Sequence, residues 1–118
     1  MRELMARYET DRRAQLAVDV FCYRARKYFG AYLAVLDGAD AIVFSGGIGE
    51  NAPVVREKIC AEMGWCGLSL DKNKNGSAIG AESLISSAGA RVCAYVIPSD
   101  EEAIIARETV KLFQRKTR

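Results

Sequence analysis

The sequence predicts an α/β fold in which parallel strands have helices on both faces. Two short, continuous apolar runs, residues 41–44 and 92–97, lack the alternation of a half-exposed strand and are typical of strands buried in a parallel sheet. A predicted helix follows each run, and two successive strand–helix units imply parallel strands joined by a right-handed crossover. Because two strands make a poor sheet, residues 1–118 are expected to form a single partial domain, the end of a larger α/β domain.

Two helices are predicted before the first apolar run. Residues 1–9 form a short amphipathic helix. A long helix then begins at Thr10 and Asp11, which supply an N-cap and an acidic residue for the first turn, and it ends near residue 36. Its apolar face is broad, so we expect the helix either to be buried under several elements or to present one face to another chain. The expected apolar set is Leu16, Val20, Phe21, Tyr28, Tyr32, Leu33 and Leu36.

The elements after the first run are separated by proline and glycine. Residues 45–51 leave the strand as a glycine-rich loop, and Pro53 begins a helix. Residues 64–90 contain five of the ten glycines and are predicted to be loops with a weak hairpin.

The last helix is predicted to begin at a capping box formed by Ser99 and Glu102, directly after Pro98 ends the second run. It should continue to about Lys116. The residues expected to face inward are Ala103, Ile104, Val110 and Leu112.

Composition excludes several classes of function. The formal net charge of +2 is too small for a dedicated nucleic-acid-binding domain. No apolar run approaches the ~20 residues of a membrane span, and the N-terminus lacks the apolar core of a signal peptide, so a cytoplasmic location is expected. The chain has no histidine, which excludes Ser-His or Cys-His catalysis and histidine-ligated zinc by this chain alone. Four cysteines without C-x-x-C spacing are expected to be reduced core thiols: Cys22, Cys60, Cys66 and Cys93.

The glycine-rich loop is the first candidate site. Its glycines allow the backbone to approach a ligand closely, and the following helix start attracts anions. No Lys-Ser or Lys-Thr follows, so the loop is not a P-loop. Residues 47–52 fit the dinucleotide pattern G-x-G-x-x-A, with Asp71 at the expected later position, but Glu50 would direct negative charge at a pyrophosphate and Pro53 removes an N–H. From spacing alone, a ligand site and a tight structural turn both stay open.

The acidic turn before the last helix is the second candidate site. Asp100 and Glu101 would complement the helix dipole in any case. However, this turn and the glycine-rich loop both follow the carboxyl ends of predicted parallel strands, and ligands bind at that edge of open α/β sheets. A carboxylate beside a nucleotide is a suitable ligand for Mg²⁺, and Glu101 is the better candidate because Glu102 belongs to the capping box.

Three separate blocks of the sequence resemble the acetate kinase family. They are residues 16–24 (LAVDVFCYR) with 27–32 (KYFGAY), residues 41–51 (AIVFSGGIGEN), and residues 97–102 (IPSDEE) with 105–109 (IARET). The resemblance implies part of a ribonuclease-H-like domain of the actin, Hsc70 and sugar kinase superfamily. It also implies a homodimeric enzyme that uses Mg²⁺ and transfers the γ-phosphoryl group of ATP to acetate, giving ADP and acetyl phosphate. Propionate and butyrate kinases share these motifs.

The resemblance also implies roles for particular residues. It implies a magnesium-linked carboxylate at Glu101 and places the long helix near the homodimer interface. The family's phosphate loop, catalytic arginines and histidines have no counterpart here, so no catalytic residue is assigned and this chain alone is expected to be inactive. A stand-alone nucleotide-binding or dimerisation module and a dinucleotide-binding fragment stay as alternatives. The implied adenosine pocket consists of Gly47, Ile48, Gly49, Glu50, Asn51 and Val55.

Overall fold

The computed structural model describes residues 1–116, which form an α/β structure. The two predicted strands and the four predicted helices are present, so the α/β prediction is confirmed. Two short helices, one after the first strand and one in the segment 64–90, replace predicted loops. The helices are α1 (Arg2–Ala6), α2 (Arg12–Val35), α3 (Gly46–Asn51), α4 (Pro53–Cys60), α5 (Lys72–Ser77) and α6 (Glu101–Lys116), and the strands are β1 (Ala41–Phe44), β2 (Ser83–Leu84) and β3 (Cys93–Val96).

The strands form a small mixed sheet in the order β1–β3–β2. β1 and β3 run parallel, with Ala41 opposite Cys93, which confirms the predicted parallel pair, and β2 is antiparallel to β3. The prediction that both faces of the sheet are buried is wrong within the described residues. In β1, Ile42 and Phe44 are buried, whereas Val43 is 49% exposed. The described helices therefore cover one face of this strand.

Helix α2 packs mainly through small residues, and most of the large apolar residues predicted to be buried are exposed. Asp11 is its N-cap, since the Asp11 carboxylate accepts hydrogen bonds from the backbone N–H groups of Arg13 and Ala14. Six of the seven predicted apolar residues are exposed and only Leu33 is buried. Among the described residues, no helix has the combination of length and apolar character needed to cross a membrane. The buried stripe consists of Ala14, Val18, Cys22 and Leu33.

Polar contacts hold α2 and the turn after α1 against α4. The Lys58 ammonium lies 2.8 Å from the Asp19 carboxylate and 5.2 Å from the centre of the Tyr8 ring. Hydrogen bonds to Asp19 and Tyr8 raise the pKa of Lys58 above its ordinary value. Arg26 adds a hydrogen bond from its Nε to the Ile59 carbonyl oxygen at 3.1 Å. These contacts hold α2 and the turn after α1 against the last turn of α4.

Helix α6 begins differently from the prediction and makes little contact with the core. The Asp100 carboxylate accepts a hydrogen bond from the Ala103 N–H at 2.9 Å and caps the helix. The predicted Ser99–Glu102 capping box is therefore wrong, because Ser99 is bonded to another part of the chain. The predicted inward positions are wrong as well: Ala103 is half-buried, and the other three are exposed.

The four cysteines are free, and three of them are buried as predicted, while Cys93 is half-buried. Burial, reinforced by the nearby Cys66, raises the pKa of the Cys60 thiol to about 12. Burial also raises the pKa of Cys22. Because the thiolate is the reactive species, these side chains should be inert in the folded chain.

The native chain is expected to react rapidly with a thiol reagent such as DTNB at pH 8 at one position, Cys93. After denaturation, all four thiols should react because burial no longer suppresses thiolate formation. Absorbance of the released thionitrobenzoate measures both numbers. The Cys93→Ser variant is the control and should lose the rapid phase, whereas rapid labelling of two or more native thiols would contradict the burial of the other three.

Candidate functional site

The turns that follow β1 and β3 lie side by side and are joined by the side chain of Glu50. Its Oε1 atom accepts hydrogen bonds from the Gly46 N–H at 2.8 Å, the Ser99 N–H at 2.8 Å and the Ser99 hydroxyl at 3.2 Å. The Ile97 N–H also donates to the Phe44 carbonyl at 3.0 Å, which extends the strand pairing into the turns. The structure therefore brings both candidate sites to the carboxyl edge of the parallel strands.

The glycine-rich segment is a short helix, α3, instead of a loop. Gly46 has a φ of +71°, a conformation that favours glycine. A Cβ atom on Gly49 would lie 3.0 Å from the carbonyl carbon of Phe44, so the helix can pack on the end of β1 only without a side chain there. The Asn51 side-chain amide donates to the Gly47 carbonyl at 3.1 Å. The segment is thus a short helix that packs tightly on the end of β1.

A cavity of about 810 Å³ lies between α1, α3 and the start of α4. Its size is within the range of about 300–1,000 Å³ that is usual for small-molecule sites. Most of its walls are apolar, and Arg2 and Asn51 are the lining residues with polar side chains. The lining residues are Met1, Arg2, Met5, Gly47, Ile48, Asn51, Ala52, Pro53 and Val54.

Three of the six residues implied for the adenosine pocket line this cavity, namely Gly47, Ile48 and Asn51. Gly49 lies against Phe44 instead, and the Glu50 carboxylate is directed to Gly46 and Ser99. The negative charge of Glu50 is therefore held by backbone N–H groups.

Val55 does not line the cavity. It is 1% exposed and lies in the core, where its carbonyl oxygen is 3.8 Å from the Cys22 sulfur. Its neighbour Val54 lines the cavity. The break at Ala52, with φ −123° and ψ 78°, separates α3 from α4 and resets the helical phase, so the residue one turn after Asn51 no longer shares its face.

Arg56 is a supporting residue that the sequence analysis missed. It is fully buried, and burial lowers the pKa of its guanidinium. The guanidinium donates to the Gly49 carbonyl at 2.7 Å, to the Asn75 side chain at 2.8 Å and to the carbonyls of Asn75 and Ala78 at 2.7 Å each. It therefore fixes α3 against α5 and the residue that follows it. The signal available in the sequence was the spacing of the apolar residues Ile59 and Cys60, which lie three and four positions after Arg56 and therefore on the same face of the helix.

The lining residues of α1 were missed for a different reason. Met1, Arg2 and Met5 reach the cavity because α1 packs on α2 and the turn after α1 contacts Lys58, and no local sequence pattern predicts tertiary contacts of that kind. Gly80 was also missed; its N–H donates to the Glu50 carbonyl oxygen at 3.2 Å.

Glu101 is exposed at the first position of α6 and lies outside the cavity lining. Within residues 1–116, no group of three or more His, Cys, Asp or Glu side chains is arranged to hold a metal ion. A single exposed carboxylate nevertheless suits Mg²⁺, which often takes one or two protein carboxylates and completes its octahedron with phosphates and water.

Sequence comparison finds related proteins of much greater length. The model of the Acetokinase family matches residues 1–107. The acetate kinase of Solibacter usitatus is 53% identical over 105 residues, covering 89% of this chain and 25% of that protein. The acetate kinase of Chloroherpeton thalassium is 50% identical over 119 aligned positions, covering 98% of this chain and 28% of that protein. The chain spans about a quarter of the length of these curated relatives.

Solved structures of longer kinases also superpose on nearly all of this chain. The acetate kinase of Porphyromonas gingivalis superposes with a TM-score of 0.83 at 39% identity, over 95% of this chain and 28% of that chain. A propionate kinase from Francisella tularensis superposes with a TM-score of 0.77 at 34% identity, over 91% of this chain and 27% of that chain. Since the family model covers nearly all of the sequence, the chain belongs to the acetokinase family.

Proposed function

We propose that this chain is the adenosine-binding part of an acetate kinase, an enzyme that transfers the γ-phosphoryl group of ATP to acetate. The observation that carries the proposal is the cavity on α3, lined by Gly47, Ile48 and Asn51 at the carboxyl edge of two parallel strands. That edge is where open α/β sheets bind ligands. Membership in the acetokinase family supports the reaction.

The chemistry of the cavity suits a nucleoside. The apolar side chains of Ile48, Pro53 and Met5 provide surfaces for the faces of a purine, and methionine adapts readily to a flat partner. The Asn51 amide supplies both a donor and an acceptor for a polar base edge or ribose. Arg2 adds a cation that attracts the phosphates.

The negative charge of the nucleotide phosphates would be neutralised mainly by Mg²⁺ and by groups outside this chain. In phosphoryl transfer, Mg²⁺ neutralises charge on the β- and γ-oxygens. Glu101 is the carboxylate proposed to hold this ion. Among the described residues, Arg2 is the phosphate-binding cation that lines the cavity. Because the family's catalytic arginines and histidines have no counterpart in the sequence, we expect the 118-residue chain to bind nucleotide without turning it over.

The proposal also covers the domain fold, the homodimer interface and the acyl acceptor. The mixed sheet would be part of a ribonuclease-H-like domain, and the exposed apolar face of α2 would lie in a homodimer interface. The exposures of Leu16, Tyr28 and Tyr32, each 60% or more, support an interface because large exposed apolar patches mark interaction surfaces. Propionate is a second candidate for the acyl acceptor, favoured by the structural similarity to the Francisella tularensis propionate kinase.

Calorimetric titration of the full chain with ADP tests the proposal. The Val54→Asp variant places a charge in the apolar wall and should weaken ADP binding by about tenfold or more. Val43→Asp is the matched control, because Val43 is comparably exposed but lies on the outer face of the sheet. Failure of the wild-type chain to bind ADP, or tighter binding of NAD, would overturn the proposal. Formation of acetyl phosphate by the chain alone would contradict its expected inactivity.

A further inference from the structure

We propose that Glu50 is a positioning residue that couples the nucleotide-binding helix α3 to the Glu101 carboxylate. This inference rests on the proposed function, but it gives Glu50 a role different from lining the pocket. Its carboxylate bridges the turn before α3 and the turn before α6, and Ser99 lies two residues from Glu101. When a ligand binds to α3, the Glu101 carboxylate that is proposed to hold Mg²⁺ would therefore lie at a fixed position relative to it.

The bridge is specific because its donors converge on one atom. Glu50 Oε1 accepts from two backbone N–H groups, those of Gly46 and Ser99, and from the Ser99 hydroxyl, all within 3.2 Å. Hydrogen bonds to a charged acceptor contribute more than those between neutral groups. The bonded residues Glu50 and Ser99 are 49 positions apart in the sequence, so the contact joins two turns that are distant in the chain and extends the pairing of β1 with β3.

At the start of α6, no buried side chain holds the helix in position in place of this bridge. In residues 97–114, the side chains are exposed except for the half-buried Ala103. The chain entering α6 is tied to the rest of the structure by the Ile97 N–H to Phe44 carbonyl bond and by the two Ser99 bonds to Glu50. The placement of Glu101 therefore depends on the Glu50 carboxylate together with the strand pairing that ends at Ile97.

A role limited to stabilising α3 predicts a different result from a coupling role. If Glu50 only stabilises the helix, its loss should weaken ADP binding equally with and without Mg²⁺. If Glu50 positions Glu101, its loss should reduce mainly the strengthening of ADP binding that Mg²⁺ causes. The dependence of ADP affinity on Mg²⁺ therefore separates the two roles.

The test is a calorimetric cycle on the full chain with ADP, with and without Mg²⁺, for the wild type, Glu50→Gln, Glu101→Gln and the double variant. Each single variant should lose most of the Mg²⁺-induced gain in ADP affinity, and the double variant should lose no more than either single variant. The loss of ADP affinity in Glu50→Gln should be smaller without Mg²⁺ than with it. Glu57→Gln, which changes an exposed glutamate of α4 outside both turns, is the matched control.

Amide NMR provides a readout without the metal. In the wild type, ADP should shift the Ser99 and Gly47 amide signals; in Glu50→Gln it should shift only that of Gly47. If Glu50→Gln does not fold, Ser99→Ala removes one donor from the bridge at an exposed position and should reduce the Mg²⁺ effect partially.

A Glu50→Gln variant that keeps the full Mg²⁺ effect and the Ser99 response would overturn the inference. A wild-type chain that fails to bind ADP would instead overturn the proposed function. In that case the Ser99 amide of the ligand-free chain still tests the bridge, because its signal should move when Glu50 becomes Gln.

Discussion

The Arg56→Met variant is expected to lose about 3–5 kcal/mol of unfolding free energy, because each buried polar group left without a partner costs about 1–3 kcal/mol. The substitution keeps an apolar stem but removes every donor to Gly49, Asn75 and Ala78. A loss of this size is a large part of the ~5–15 kcal/mol that stabilises an ordinary domain. Urea unfolding followed by circular dichroism measures it.

Two further variants define the origin of that loss. Arg56→Lys keeps the positive charge but concentrates its donors on one nitrogen, so it should recover only part of the stability. Arg24→Met removes an exposed arginine of α2 and should change the free energy of unfolding by less than about 0.5 kcal/mol. If Arg56→Met and Arg24→Met gave equal changes, the hydrogen bonds of Arg56 would not be what holds α3 to α5.

Alanine substitutions at two glycines of α3 are expected to have opposite effects. Gly49→Ala places a Cβ atom 3.0 Å from the Phe44 backbone, so it should destabilise the chain by about 1–3 kcal/mol through overpacking. Gly47→Ala places its Cβ in open space, so it should be neutral or stabilise the helix by up to about 1 kcal/mol. Because Gly47 lines the cavity, its new methyl group should nevertheless weaken ADP binding. Melting temperature and ADP titration of both variants measure the two effects, and equal destabilisation would contradict the packing of Gly49 on β1.

The sequence predicted the parallel strand pair and the meeting of the two turns because both follow from short-range patterns and one topological rule. Continuous apolar runs marked β1 and β3, and parallel strands necessarily place their carboxyl ends at one edge. Ser99 was misassigned because a capping box is a local rule, and a carboxylate 49 residues away offered its N–H and hydroxyl a better acceptor.

The face of α2 that packs on the core could not be predicted from its large side chains. The helix buries Ala14, Val18 and Cys22 because small residues allow close approach to α4, while Leu16 and Tyr32 point outward. Arg56 was missed because a charged residue ordinarily marks the solvent face of a helix. Only the carbonyl groups contributed by Gly49, Asn75 and Ala78 make its burial favourable, and their convergence is a property of the folded chain.

The parallel pairing of β1 with β3 also constrains the order of folding. Ala41 and Cys93 are neighbours in the sheet but 52 residues apart in the chain, so closing that loop costs about 3.5 kcal/mol of chain entropy before the strands gain any stabilisation. Helices α2 and α4 are closer in sequence and can associate earlier, since local contacts form faster than distant ones. The Glu50–Ser99 bridge therefore forms late. During synthesis, residue 99 must leave the ribosome before helix α3 can meet the turn before α6, so the two turns can associate only after that point.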